Sequence, residues 1–275
     1  MKNWIKILLS FVVIIVYATM VSSSSKKKYS GKPAPITFKV SNYEYAPPTQ
    51  SSVGSTDLKI LLLEPRFNEK FKYADYRIFN DFSKFMAGDI NESLTAKGYT
   101  VRGPFENYEG ALYTDKVESD LLLNVQIDFD LNDQNVIWNG TEILVSGKRK
   151  TAVYNTQYKF SGFFVLSGKL NLSLSEPITK EKIWVKNIPL KQRKISIISS
   201  GVYKNLRDYT AAFEAEPSFS NPFVTTMQDY YKEILDIAWT NLDPNELASL
   251  KKYTKEIREK KKYKIEMYYT KKGFQ

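Results

Sequence analysis

The apolar positions of this chain change period several times, and each change marks an element. Leu58-Lys59-Ile60-Leu61-Leu62-Leu63 is a short, nearly unbroken apolar run stopped by Glu64-Pro65. That length and density fit a strand buried on both faces. Pro65 has no amide hydrogen for a ladder, so the strand ends at or before it. From Asp75 the period becomes helical, with Ile78, Phe79, Phe82, Phe85, Met86, Ile90 and Leu94 on one stripe. Gly98 stands where a helix ends on a residue of positive φ, which predicts a helix over 73–97. Tyr99-Thr100-Val101-Arg102 reads as a second strand closed by Gly103-Pro104. The spacing assigns the helix aromatics to a core rather than to a ligand box.

Phe105 to Val117 is a polar connection dotted with aromatics, and Asp120 to Asn132 then alternates strictly. Leu121, Leu123, Val125, Ile127, Phe129 and Leu131 take one face; Asn124, Gln126, Asp128 and Asp130 take the other. One buried and one wet face argues antiparallel pairing. Val136–Ser146 is a strand, Gly147–Thr151 a basic turn, and Phe164 to Leu174 alternates again. Lys182–Leu190 is a further strand that can run on to Ile198 past Pro189. Residues 199–222, punctuated by Gly201, Pro217 and Pro222, read as loop. Val224 to Leu242 carries a helical stripe, and Asp243-Pro244-Asn245-Glu246 opens a last helix with Asp243 as N-cap and Pro244 at N1. Together these predict an α+β fold: an antiparallel-rich twisted sheet opened by a strand–helix–strand unit. The 73–97 and 224–242 helices pack on one face and the other face stays wetter.

Several of these stretches also carry a family resemblance. Leu58 to Phe67, Lys97-Gly98-Tyr99-Thr100-Val101, Asn139-Gly140-Thr141-Glu142-Ile143, and Gly168-Lys169-Leu170 to Ser175-Glu176-Pro177 fall in an order that resembles the neuraminyllactose-binding hemagglutinin family of bacterial surface lipoproteins. With the basic C-terminal helix, the likeness covers most of residues 36–265. It implies binding of sialylated glycans by an adhesin at the bacterial outer membrane or cell surface.

Composition narrows the chemistry. Cysteine and histidine are both absent, which removes thiolate chemistry, the commonest metal ligand and the commonest general base near neutral pH. No Walker loop, dinucleotide fingerprint, nucleophile elbow or metal-ligand cluster is present. Asp128, Asp130 and Asp133 lack the glycine spacing of a calcium loop and read as a solvated sheet face. A non-enzyme without metal or cofactor is therefore expected.

The +10 net charge sits at the ends: residues 1–32 carry +6 and 251–275 carry +7, leaving −3 between them. A nucleic-acid-binding domain would show a basic folded face instead, so membrane headgroups or acidic partners are favoured. Two lysines before an apolar run Ile7–Val21, with Ser22–Ser25 behind it, read as an export signal or a retained anchor over 1–25. The resembled family carries a lipidated cysteine here; this chain has serines, so thioether lipidation is excluded and an inner-membrane or periplasmic location becomes an alternative. Residues 26–56, rich in Ser, Lys, Pro and Thr, read as a linker, with Ile36–Val40 as one candidate edge strand. The hemagglutinin-like domain follows over 57–242, and 243–275 is a basic helix and tail that is either solvated or held to lipid headgroups.

A sialic acid offers one carboxylate, many hydroxyls and an N-acetyl methyl. A protein that holds it needs a cation, best an arginine with its planar fork, plus hydroxyl or amide partners and an aromatic wall. The turn Lys148-Arg149-Lys150-Thr151, with Tyr154 after it and Trp138 before it, supplies these types and matches a basic stretch of the resembled family. A soluble basic hairpin that resists edge pairing is the plainer reading of the same residues. An envelope scaffold without a glycan ligand is the alternative function.

Overall fold

A computed structural model describes residues 37–39, 41–146, 153–205 and 207–271, with the backbone alone for 153 and 263–271. In chain order the elements are β1 (Lys59–Leu63), β2 (Arg66–Phe67), α1 (Arg77–Ala96), β3 (Thr100–Phe105), α2 (Tyr113–Glu118) and β4 (Leu121–Asn132). They continue with β5 (Val136–Ser146), β6 (Val153–Ser175), β7 (Lys182–Ile198), α3 (Thr210–Ala215), α4 (Pro217–Asn241) and α5 (Pro244–Lys271).

The fold is α+β. One seven-stranded mixed sheet runs β3-β1-β4-β6-β5, with β2 on β4 and β7 on the far side of β6. The opening β1–α1–β3 unit forms because the apolar run and the helical stripe follow each other directly; β1 lies parallel to β3 and β4. Ile60, Leu61 and Leu62 are inaccessible, as expected of a strand covered on both faces. The β4–β6–β7 region is antiparallel. Leu121, Leu123, Val125, Ile127 and Phe129 turn into the core with α1 and α4, and Phe82 of α1 meets Phe129 at 6.1 Å between ring centroids. Burying such aromatics, at roughly 1.5–3 kcal/mol for each large side chain, holds the helices to this face. The opposite face of β4 and β6 is polar: Asp128 accepts from Asn171 Nδ2 (3.0 Å) and Gln126 Nε2 (3.3 Å) and pairs with Lys169 at 3.3 Å.

Several sequence expectations need correction. β3 runs through Gly103-Pro104 to Phe105 instead of stopping before them. Gly103 takes φ +108 where the register against β1 shifts, a backbone state glycine tolerates. Phe85 lies outside the buried stripe of α1. The 105–117 connection holds part of α2. The second half of 199–222 is helical, α3 followed by the start of α4: Pro217 opens α4 in its first turn and Pro222 lies inside it. The prolines looked like breakers, whereas burial of Phe213, Phe219 and Phe223 pulls the segment onto the core. Part of the supposed linker is also packed. Tyr43 is 2% exposed, stacks on Tyr231 at 5.0 Å and donates to the Ile78 carbonyl (3.1 Å). Residues 37–39 form no strand.

The start of α5 is as the sequence predicts: Asp243 Oδ1 accepts from the amides of Asn245 (2.9 Å) and Glu246 (3.1 Å). The helix is not merely a solvated arm, because Leu247 and Leu250 are buried and Arg258 reaches the inaccessible Glu176. Among the described residues no helix is long and apolar enough to cross a membrane; the apolar segment 7–21 lies outside them.

Candidate ligand-binding site

β5 and the first half of β6 leave the sheet as a two-stranded ribbon. β7 follows β6 as far as Ser161, and one bridge, Tyr158 with Tyr203, braces it beyond. From Asn139 to Ser146 the ribbon side chains are exposed or half-exposed. Lys148, Arg149, Lys150 and Thr151 lie in its connection, outside the described residues. Trp138 and Tyr154 are described, and they are apart. Trp138 pairs with Phe160 at the base, 4.6 Å between rings, and packs near Tyr209 and Tyr203. Tyr154 pairs with Leu144, six residues further out, about 20 Å along the strand. Trp138 is thus held by the aromatic core and does not form a wall with Tyr154.

The residue types required for an acidic sugar do come together elsewhere, in a cleft of about 590 Å³ beside the start of α1. Three separate segments line it: a strap that contributes Phe38, Lys39 and Ser41, the first turns of α1, and the α3–α4 corner. The strap is tied down by polar contacts to α4. The Lys39 amide donates to Asn221 Oδ1 (2.7 Å), Lys39 Nζ to Thr225 Oγ1 (3.1 Å), and Asn221 Nδ2 to the Thr37 carbonyl (3.0 Å). Tyr76 and Phe213 stack at 4.9 Å and 20°, with the Tyr76 hydroxyl 2.8 Å from Thr210 Oγ1, and give the cleft an aromatic wall. Arg77 sits 3.8 Å from Asp81 and is largely exposed, free to turn its fork to a ligand.

The electrostatics of this cleft are balanced. Lys39, Arg77 and Lys84 face Asp75, Asp81 and Glu214. Helix α1 starts without a side-chain cap and without an acid in its first turn, so its first amides present the positive end of the helix dipole. Ser220 lines the same cleft; it is 2% exposed and its hydroxyl has no hydrogen-bond partner. Buried hydroxyls normally find one. Burial, reinforced by the nearby Asp81, raises the Tyr43 phenol above its ordinary pKa and keeps it neutral under the strap. Among the described residues no group of three or more acidic side chains could hold a metal ion. Sequence reading missed the cleft because its three linings are far apart in the chain; the exposed Arg77 at a helix start was its one local signal.

The molecule thus belongs by architecture to the mixed α+β sheets with helices on one side and a projecting ribbon. A solved structure of this fold is a neuraminyllactose-binding hemagglutinin homologue from Helicobacter pylori, 16% identical, with a TM-score of 0.51 over 77% of this chain and 99% of that one. Weaker similarities join a hypothetical protein, CT253, from Chlamydia trachomatis (12% identity, TM-score 0.28, 66% of this chain and 95% of that one) and a minor lipoprotein from Acinetobacter baumannii (11%, 0.22, 66% and 93%); these add nothing to the reading. No family model and no curated protein matches the chain.

Proposed function

We propose that the protein is an exported, non-catalytic binding protein of the bacterial envelope that takes an acidic glycan of the sialylated type in the α1 cleft. One observation carries the reading: a cation fork, amide and carboxylate partners, an aromatic wall and an unpartnered buried hydroxyl converge on one concave surface. The charge balance favours a ligand with one carboxylate among many hydroxyls over a polyanion. Arg77 and the first amides of α1 take the carboxylate. Asn80, Asp75 and Asp81 take hydroxyls, and Tyr76 with Phe213 receives an apolar sugar face or the N-acetyl methyl. The fold shared with the hemagglutinin homologue and the apolar segment 7–21 support the envelope assignment.

A glycan array with wild type, Arg77→Lys, Asn80→Ala and Arg149→Lys tests it. A charged contact of this kind is worth about 1.5–3 kcal/mol. Arg77→Lys should therefore cost about tenfold or more in affinity for sialylated glycans, while Arg149→Lys leaves it unchanged. Sensitivity to Arg149→Lys alone would move the site to the ribbon tip. A wild type that ignores sialylated glycans would leave the envelope-scaffold reading.

A further inference from the structure

The lining of the α1 cleft divides by depth. Its outer residues are exposed and mostly charged: Lys39, Asp75, Arg77, Asn80, Lys84 and Glu214. Its buried residues are Ile78, Phe213, Val224 and Ser220, so the floor is apolar apart from the Ser220 hydroxyl. Among the described residues that hydroxyl has no hydrogen-bond partner, and it is an exception on its own helix. Thr225, Thr226 and Thr240 donate to the carbonyls four residues back, at 3.1, 3.0 and 2.9 Å, and Ser218 Oγ reaches Ser200 Oγ at 3.4 Å. The carbonyl that Ser220 would use in this way, that of Glu216, already accepts from the amides of Phe219 (3.1 Å) and Ser220 (2.9 Å). A carbonyl oxygen has two lone pairs, so the hydroxyl is left over and its desolvation is uncompensated in the free protein.

Counting donors identifies the group that relieves it. A ligand hydroxyl brought to the floor makes one bond with Ser220, yet the pair holds two O–H hydrogens, and one stays unpaired beside Ile78, Phe213 and Val224. An ammonium brings three donors and does worse. A carbonyl brings none: it accepts from the Ser220 O–H and leaves no hydrogen stranded. The apolar side chains around it favour a small apolar body on that carbonyl, which a methyl supplies. A carbonyl bearing a methyl is an acetyl group. Linked through an amide, it keeps its N–H on the rim side, where Asp75, Asp81 and Glu214 offer acceptors. We infer that the floor of the α1 cleft is an N-acetyl pocket in which Ser220 donates to the acyl carbonyl. Ser220 thereby sets specificity for acetamido sugars over their hydroxyl, amino and glycolyl counterparts. The inference rests on the cleft being the glycan site, but not on the carboxylate contacts at its rim.

The full-length protein, wild type and Ser220→Ala, is titrated by ligand-observed NMR with two matched series. One is sialyllactose carrying an N-acetyl, N-glycolyl or hydroxyl group at the same carbon. The other is neutral: N-acetylglucosamine against glucosamine and glucose. In each series wild type should prefer the acetamido member by about tenfold, the worth of one hydrogen bond made rather than left stranded. Ser220→Ala should lose about tenfold for the acetamido members and keep the others within about twofold, because their complexes leave the serine unpaired in any case. Without ligand its Tm should be unchanged or higher, since only an unpaired hydroxyl is removed. Equal binding of acetamido and hydroxyl members overturns the inference. So does a preference that survives Ser220→Ala, a fall in Tm of the free variant, or no binding of any member. A wild type that ignores sialyllactose yet binds N-acetylglucosamine in a Ser220-dependent way upholds the pocket and refutes only the acidic-ligand reading.

Discussion

Arg258 is the residue whose loss the structure prices most sharply. It lies on α5 and donates from Nε to Glu176 Oε1 at 2.6 Å; Glu176 is inaccessible. The same guanidinium donates to the carbonyls of Val117 (2.8 Å), Ser119 (2.6 Å) and Lys116 (3.2 Å). Glu176 Oε2 accepts from the amides of Ile178 (3.0 Å) and Thr179 (2.5 Å). Arg258→Ala would thus strand a buried carboxylate and remove the donors of three carbonyls. Breaking a buried pair costs about 3–5 kcal/mol. The Arg258 side chain is 26% exposed and two amides remain on Glu176, so about 3 kcal/mol is expected. For a domain of this size that lowers Tm by roughly 6–12 °C. Urea denaturation and thermal melts of wild type, Arg258→Ala, Glu176→Gln and the double variant measure it. The double variant should lose less than the sum of the singles, because the stranded charge is gone. A loss under about 1 kcal/mol for Arg258→Ala, or strict additivity, would show that α5 is held by Leu247 and Leu250 alone.

Phe82→Ala should cost about 3–5 kcal/mol in urea denaturation, since its ring packs against Tyr43, Phe67, Phe129 and Tyr231 at the α1–α4–sheet junction; a loss below 1 kcal/mol would contradict that packing. Gly162 has φ +129, and a Cβ there would fall 2.2 Å from the Asn135 carbonyl, so Gly162→Ala should destabilise by about 1–3 kcal/mol, with an unchanged melt as the refuting result. Lys186, and then Trp184, hydrogen-bond Glu246 and hold its carboxyl below the usual range. A depressed folded pKa contributes stability above the unfolded pKa that is lost as pH falls through the folded value. The Tm gap between wild type and Glu246→Gln should therefore shrink as pH is lowered from 6 towards 3; a constant gap would exclude the linkage.

What the sequence disclosed and what it withheld follow from distance along the chain. β1, α1, β4 and the Asp243-Pro244 helix start are set by neighbours within a few residues, and their periods and caps were legible. The helical nature of 210–222 was not, because Pro217 and Pro222 speak locally for a break while Phe213, Phe219 and Phe223 answer to a distant sheet. Trp138 was read as a binding wall because its partners, Phe160 and Tyr209, are far off in sequence. The α1 cleft and the Glu176–Arg258 pair have the same origin: each joins segments that no local window contains together.

β6 is one unbroken strand from the ribbon to the heart of the sheet, gripped by β4 and β5 along one edge and by β7 along the other. The ribbon is therefore the overhang of a beam clamped at its inner end. A pull along its axis would load the β6 ladders in shear, many hydrogen bonds at once, rather than peeling them one by one. Whatever the ribbon touches is met at a fixed distance and direction from the α1 cleft, with a stiffness that a loop of the same length would lack.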